Sequence, residues 1–149
     1  MDLIPLLERR REHILAEATD NLSHTRHSHY AASAEAENKQ RLSRLYDLAL
    51  ECIRSRNLVP MIEFSEKLAE ERFKGGFDLQ EVQTAFNVLE EAIWKQVTDE
   101  MDCDQYPQAF GLTSTTLGTG KEALARQYVS LASKSQVRSL DLSQLFRGL

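Results

Sequence analysis

The residues that most constrain this chain are Gly75-Gly76-Phe77-Asp78-Leu79-Gln80-Glu81-Val82, because they end one helix and start another within a single short stretch. Glycine adopts the left-handed conformation that closes a helix at little steric cost. Asp78 then stands where an N-cap is needed, able to accept from backbone N–H groups that have no intrahelical partner. Glu81 lies at the third position beyond the cap and can reach back, so the pair forms a capping box. Phe77 and Val82 flank that box at the spacing of a hydrophobic staple. The spacing predicts a long helix from Leu79 to about Met101, roughly 35 Å at 1.5 Å per residue. Val82, Ala85, Phe86, Leu89, Ile93 and Val97 share one face of it, with Trp94 and Met101 extending the apolar arc to one side. Gln80, Thr84, Asn87, Glu91 and Thr98 occupy the opposite face. An arc that wide predicts contact with several neighbours, so this is read as the central helix.

The same periodicity organises the rest. Pro5 is tolerated in a first helical turn, and a helix is expected from Pro5 to about Asn21 with Leu7, Ile14, Leu15, Ala18 and Leu22 inward. Small and polar residues then predict a loop over 23–33. A second helix is expected from about Ala34, burying Leu42, Leu45, Tyr46, Ala49, Leu50 and Ile53, and closed by Asn57 and Pro60. Pro60 opens a third, with Ile62, Phe64, Leu68, Ala69 and Phe73 as its buried side. After a turn at Asp102–Asp104 and Tyr106-Pro107, a fifth helix repeats Phe110, Leu117, Leu124 and Leu131 every seven residues. Gly111, Gly118 and Gly120 each weaken that helix by up to ~1 kcal/mol relative to Ala, for which close approach of another helix would be a packing reason. Residues 137–149 are expected to form an amphipathic C-terminal tail, whose stripe Leu142, Leu145, Phe146 and Leu149 Asp141 could cap and which is too short to stand alone. With no strand alternation, the expected fold is an all-α, single-domain bundle of about five main helices plus a short C-terminal helix, a globin-like arrangement being one form it can take. The single domain spans residues 1–149.

Composition excludes several functions. A net charge of −5 and pI near 5.4 give no basic footprint for sequence-independent nucleic-acid binding. No apolar run approaches the ~18–20 residues of a membrane span. The stretch Met1-Asp2-Leu3-Ile4-Pro5 has no basic n-region, and Cys52 and Cys103 form no CxxC pair. A cytoplasmic protein with reduced cysteines is expected. The candidate chemistry is thin. Arg9-Arg10-Arg11 could attract an anion, but Glu8 and Glu12 bracket it and a solvated helix face is the simpler reading. His24, His27 and His29 could begin a metal site, but zinc needs three or four converging ligands, and His13 or Cys52 would have to join them. The acid pairs Glu70-Glu71 and Glu90-Glu91 are adjacent and diverge on a helix. Gly118-Thr119-Gly120-Lys121 lacks phosphate-loop spacing and a preceding strand. No catalytic residue, metal site or cofactor is assigned, and an enzyme is not expected.

The segment from Phe77 to Trp94, with its Gly-Phe-Asp-Leu-x-Glu-Val start, its Ala-Phe-Asn-x-Leu middle and its Ile-Trp, resembles the N-terminal domain of the RsbT co-antagonist family. With the preceding helices from Leu42 to Phe73 and the following one up to Leu131, the resemblance covers about two thirds of the chain. It implies an all-α, non-catalytic regulatory module of stressosome-type bacterial signalling proteins, often dimeric, that controls an attached or partner signalling domain. Family members usually carry an output domain next, whereas this chain ends at Leu149, so it is expected to act through a separate protein. The C-terminal stripe is the candidate contact for such a partner. A small-ligand or haem sensor on a helical fold is the competing expectation.

Overall fold

The glycine-rich stretch separates two helices at right about the middle of the chain. A computed structural model describes residues 3–25 and 28–139. Within them the helices are α1 (Leu3–Arg9), α2 (Arg11–Ser23), α3 (His29–Ala32), α4 (Glu35–Ser55), α5 (Val59–Lys74), α6 (Leu79–Glu100) and α7 (Tyr106–Ser139), with a 3-10 turn at Cys103–Gln105 before α7. The described residues contain no strand. The first expected helix is two: it breaks at Arg10, and the ladder resumes with Ile14 N–H on the Arg10 carbonyl. At that break the Leu7 carbonyl takes the Tyr46 hydroxyl of α4 at 2.5 Å, so a backbone group is satisfied by another helix. Burial among helices pushes the Tyr46 phenol well above its ordinary pKa. The stretch expected as a loop over 23–33 contains the single turn α3, capped by Ser28, whose Oγ accepts from Ala31 N–H at 3.1 Å.

Helix α6 is central. It packs against α2 on one side and α7 on the other, and also meets α1 and α4. Its six predicted inward residues are buried, but the apolar arc widens toward Val88 and Ala92 rather than toward Trp94. Trp94 remains 38% exposed and meets Phe110 of α7 edge-on, with ring centroids 5.6 Å apart. Buried Glu90 is reached by Lys121 Nζ at 3.5 Å, which places the Lys121 of the loop-like glycine motif inside α7 as an ordinary helical residue.

Helix α5 buries Ala69 as expected but otherwise corrects the expected face. Met61, Ser65 and Ala69 are its fully buried residues, whereas Ile62, Phe64, Leu68 and Phe73 are half-buried. The reason is a close crossing with α7. A Cβ added at Gly120 would stand 2.7 Å from Phe86 Cε2, 2.8 Å from Met61 Sδ and 3.0 Å from Ser65 Oγ. Small residues on α5 and none at position 120 let the backbones approach. Around Gly111 and Gly118 nothing lies within 4 Å, so the packing reason applies to Gly120 alone. Rotating Met61, Ser65 and Ala69 onto α7 turns Phe64 and Leu68 toward α4, where they help to form a cavity.

Candidate functional site

The link between α5 and α6 is a junction of four elements. Gly76 has φ 81°, and the N–H groups of Gly76 and Phe77 donate to the carbonyls of Phe73 at 3.2 Å and Arg72 at 3.0 Å, a complete Schellman closure. Gly75 has an ordinary φ of −77°, so only the second glycine needs to be one. Both halves of the capping box are in place; its full hydrogen bond runs from Asp78 N–H to Glu81 Oε1 at 3.1 Å. Glu81 is shared. Its Oε2 accepts from the backbone N–H of His29 at 2.7 Å and lies 2.8 Å from the His29 ring Nδ1. Burial raises the Glu81 carboxyl, but the His29 N–H and ring and the Asp78 N–H outweigh it and hold the pKa below its ordinary value. The predicted hydrophobic staple residue Phe77 stacks on the His29 ring at 4.4 Å and meets Tyr30 at 5.0 Å. Tyr128 of α7 donates its hydroxyl to the Phe77 carbonyl at 3.0 Å, and burial pushes its pKa up to about 12.

Two arginines close over this aromatic cluster. Arg41 of α4 lies 5.4 Å from the Tyr30 ring centroid and 5.8 Å from that of Phe77; Arg72 of α5 lies 5.4 Å from Phe77. Such contacts contribute on the order of 0.5–2 kcal/mol, more as the cation loses water. Arg41 is also bonded to Glu37 at 2.8 Å, while Arg72 has only a loose approach to Glu71 at 3.8 Å. Arg72 Nε donates to the Tyr30 hydroxyl at 3.4 Å.

Beside the cluster is a cavity of about 160 Å³ between α3, α4, α5 and α6. Its apolar wall is Leu42, Leu45, Phe64, Leu68, Ala85 and the wholly buried Phe86. Its charged wall is Arg41, Arg44, Lys67 and Arg72 against the single acid Glu71. Arg44 and Lys67 are exposed and make no ion pair among the described residues. The arrangement can hold something apolar at one end and anionic at the other. It presents no paired carboxylates, nucleophile with a base, or histidine that would carry catalysis.

The residues singled out from sequence separate in the structure. The His24 ring lies 2.7 Å from the Asp20 backbone carbonyl at the end of α2, and the His29 ring meets Glu81 of α6, so these two histidines are held by different helices; His27 lies outside the described residues. No group of three His, Cys, Asp or Glu among the described residues is placed to hold a metal ion. The arginine triplet is structural: Arg9 and Arg10 meet Glu100 of α6, and Arg11 grips Asp47 of α4 at 2.8 and 2.9 Å. Cys52 is buried and Cys103 exposed, both as free thiols. The stripe Leu142, Leu145, Phe146 and Leu149 lies outside the described residues. Sequence reasoning missed Tyr30, Arg41, Arg44, Lys67 and Arg72. The one local signal was Arg41-Leu42-Ser43-Arg44-Leu45, cations at a spacing of three beside core leucines, which describes most amphipathic helices equally well.

Comparison with known families gives a match over residues 11–133, from the start of α2 to near the end of α7, to the RsbT co-antagonist protein rsbRD N-terminal domain. No curated protein and no solved structure matches the chain. Among the described residues no helix is long and apolar enough to cross a membrane.

Proposed function

This chain belongs to the RsbT co-antagonist N-terminal domain family, and from that premise we propose that it is a non-catalytic regulatory module acting by association with a protein partner in a signalling complex. The observation that carries the reading is the extent of the match, which takes in the central helix together with α2, α4 and α7 packed on it. Free Cys52 and Cys103 fit a reducing, cytoplasmic setting. The proposed partner contact is the C-terminal stripe Leu142, Leu145, Phe146 and Leu149, since an amphipathic helix laid in a groove is a recurring mode of recognition; self-association into a homodimer is the second form such a contact can take. Truncation after Arg138, followed by light scattering and pull-down from native lysate, tests it. Loss of the complex at an unchanged melting point supports a partner-binding tail. A truncated chain that keeps its mass, its melting point and its partners overturns it.

A further inference from the structure

We propose that the cavity between α3, α4, α5 and α6 binds a small hydrophobic monocarboxylate. The proposal goes beyond the regulatory reading, which requires a protein partner and no small molecule.

Size sets the first limit. At about 160 Å³ the cavity is below the ~300–1,000 Å³ of drug-sized sites and close to the ~150 Å³ that accepts a benzene ring. One ring or a short acyl chain fits; a nucleotide or a porphyrin does not. Wall chemistry sets the second. Phe64, Leu68 and Phe86 offer nothing to a sugar or a bare phosphate, whereas burying an apolar body against them is favourable at roughly 25 cal/mol per Å².

Charge sets the third. The chain carries −5 overall, yet this opening has four cations and one acid, and Glu71 leans on Arg72. At this opening Arg41 is paired with Glu37 and Arg72 is approached by Glu71, whereas Arg44 and Lys67 have no carboxylate among the described residues. A carboxylate at the mouth would supply the missing countercharge, and guanidinium groups match its planar geometry. The Tyr30 hydroxyl is a further pointer. Tyr30 is 2% exposed, and its hydroxyl accepts from Arg72 but donates its own proton to no acceptor among the described residues. A ligand oxygen would take that proton.

The site is also placed to report its occupancy. Tyr30 sits on the one-turn α3, which the His29–Glu81 contact fastens to the start of the central helix. A ligand bridging Tyr30 to α4 and α5 therefore tightens α3 onto the α6 cap, at a position where the chain has only that single turn to order.

The test is an amide-resolved NMR titration of the full chain with phenylacetate and hexanoate, against phenylacetamide, acetate and inorganic phosphate. Saturable shifts with the first two, confined to Tyr30, Leu45, Leu68, Ala85 and their neighbours, are expected. Phenylacetamide and acetate should bind about tenfold more weakly, one lacking the charge and the other the apolar body. Because Arg44 and Lys67 are exposed, Arg44→Gln with Lys67→Gln should leave the melt unchanged and weaken phenylacetate about fivefold, the scale of two screened charge contacts. Equal binding of phenylacetamide overturns the charge assignment. Equal shifts from acetate or phosphate reduce the site to an adventitious anion patch, and no saturable shift from either hydrophobic acid refutes the proposal. None of these readouts involves a protein partner, so failure here and failure of the association reading are separable.

Discussion

Gly120→Ala should destabilise the protein although the same change elsewhere in α7 stabilises it. Replacing glycine by alanine inside a helix gains up to ~1 kcal/mol from propensity alone. At Gly111 and Gly118 the new Cβ meets nothing within 4 Å, so those variants should gain that amount or part of it. At Gly120 it would lie 2.7 Å from Phe86 Cε2, about 0.8 Å inside the ~3.5 Å at which carbon atoms pack best. Met61 Sδ at 2.8 Å can swing aside, being the flexible end of its side chain, but the Phe86 ring is 0% exposed and has no free direction except the neighbouring cavity. Overpacking of this kind costs about 1–3 kcal/mol. Subtracting the propensity gain leaves Gly120→Ala net destabilising by up to ~2 kcal/mol, and separates it from Gly118→Ala by roughly 1–3 kcal/mol. Urea melts of the three single variants, compared at equal slope, measure the difference. Equal stability of Gly120→Ala and Gly118→Ala would refute the close crossing of α5 and α7. A destabilised Gly120→Ala should also bind phenylacetate more weakly, because the displaced ring moves into the site.

Three further outcomes follow from the junction and the helix break. Gly76→Ala places a Cβ at φ 81° and should cost about 1–2 kcal/mol, whereas Gly75→Ala should be close to neutral; equal losses in a denaturant melt would contradict the assignment of the turn. Glu81 has its pKa lowered by folding, so its contribution to stability is complete above the ordinary 4.5 and is lost as pH falls through the depressed folded value. Glu81→Gln should therefore be less stable than the parent at pH 7 and approach it on strong acidification, and a gap independent of pH would sink that account. Tyr46→Phe removes the hydroxyl from the Leu7 carbonyl and should cost about 1–3 kcal/mol, the price of a buried acceptor left unpaired, visible as faster amide exchange at the α1–α2 joint.

The helices and their starts were legible in the residues because the interactions that make them are local. The Asp78–Glu81 box, the Pro60 helix start and the inward faces of α4 and α6 all depend on neighbours three or four positions away, and each is present in the structure. Membership of the family was legible for the same reason, since the quoted motif lies across that cap. The α1–α2 break was not legible: Arg10 has no proline or glycine beside it, and the break is held from outside by Tyr46 and Glu100. Nor was the true buried side of α5, where Ile62 and Phe64 are more apolar than Ser65 yet less buried.

The residues themselves thus determined the starts of α4, α5 and α6, the all-α class and the family, through hydrogen bonds and side-chain spacings that close within a turn or two. Tertiary structure decided which apolar stripe faced which neighbour, because packing rewards fit between surfaces rather than hydrophobicity alone. It chose Gly120 over Gly118 as the contact and sent Phe64 and Leu68 toward α4. It also gathered Tyr30, Arg41, Arg44, Lys67 and Arg72 from three helices around one cavity. Their grouping depends on how separate helices cross, and no periodicity within any one of them encodes that.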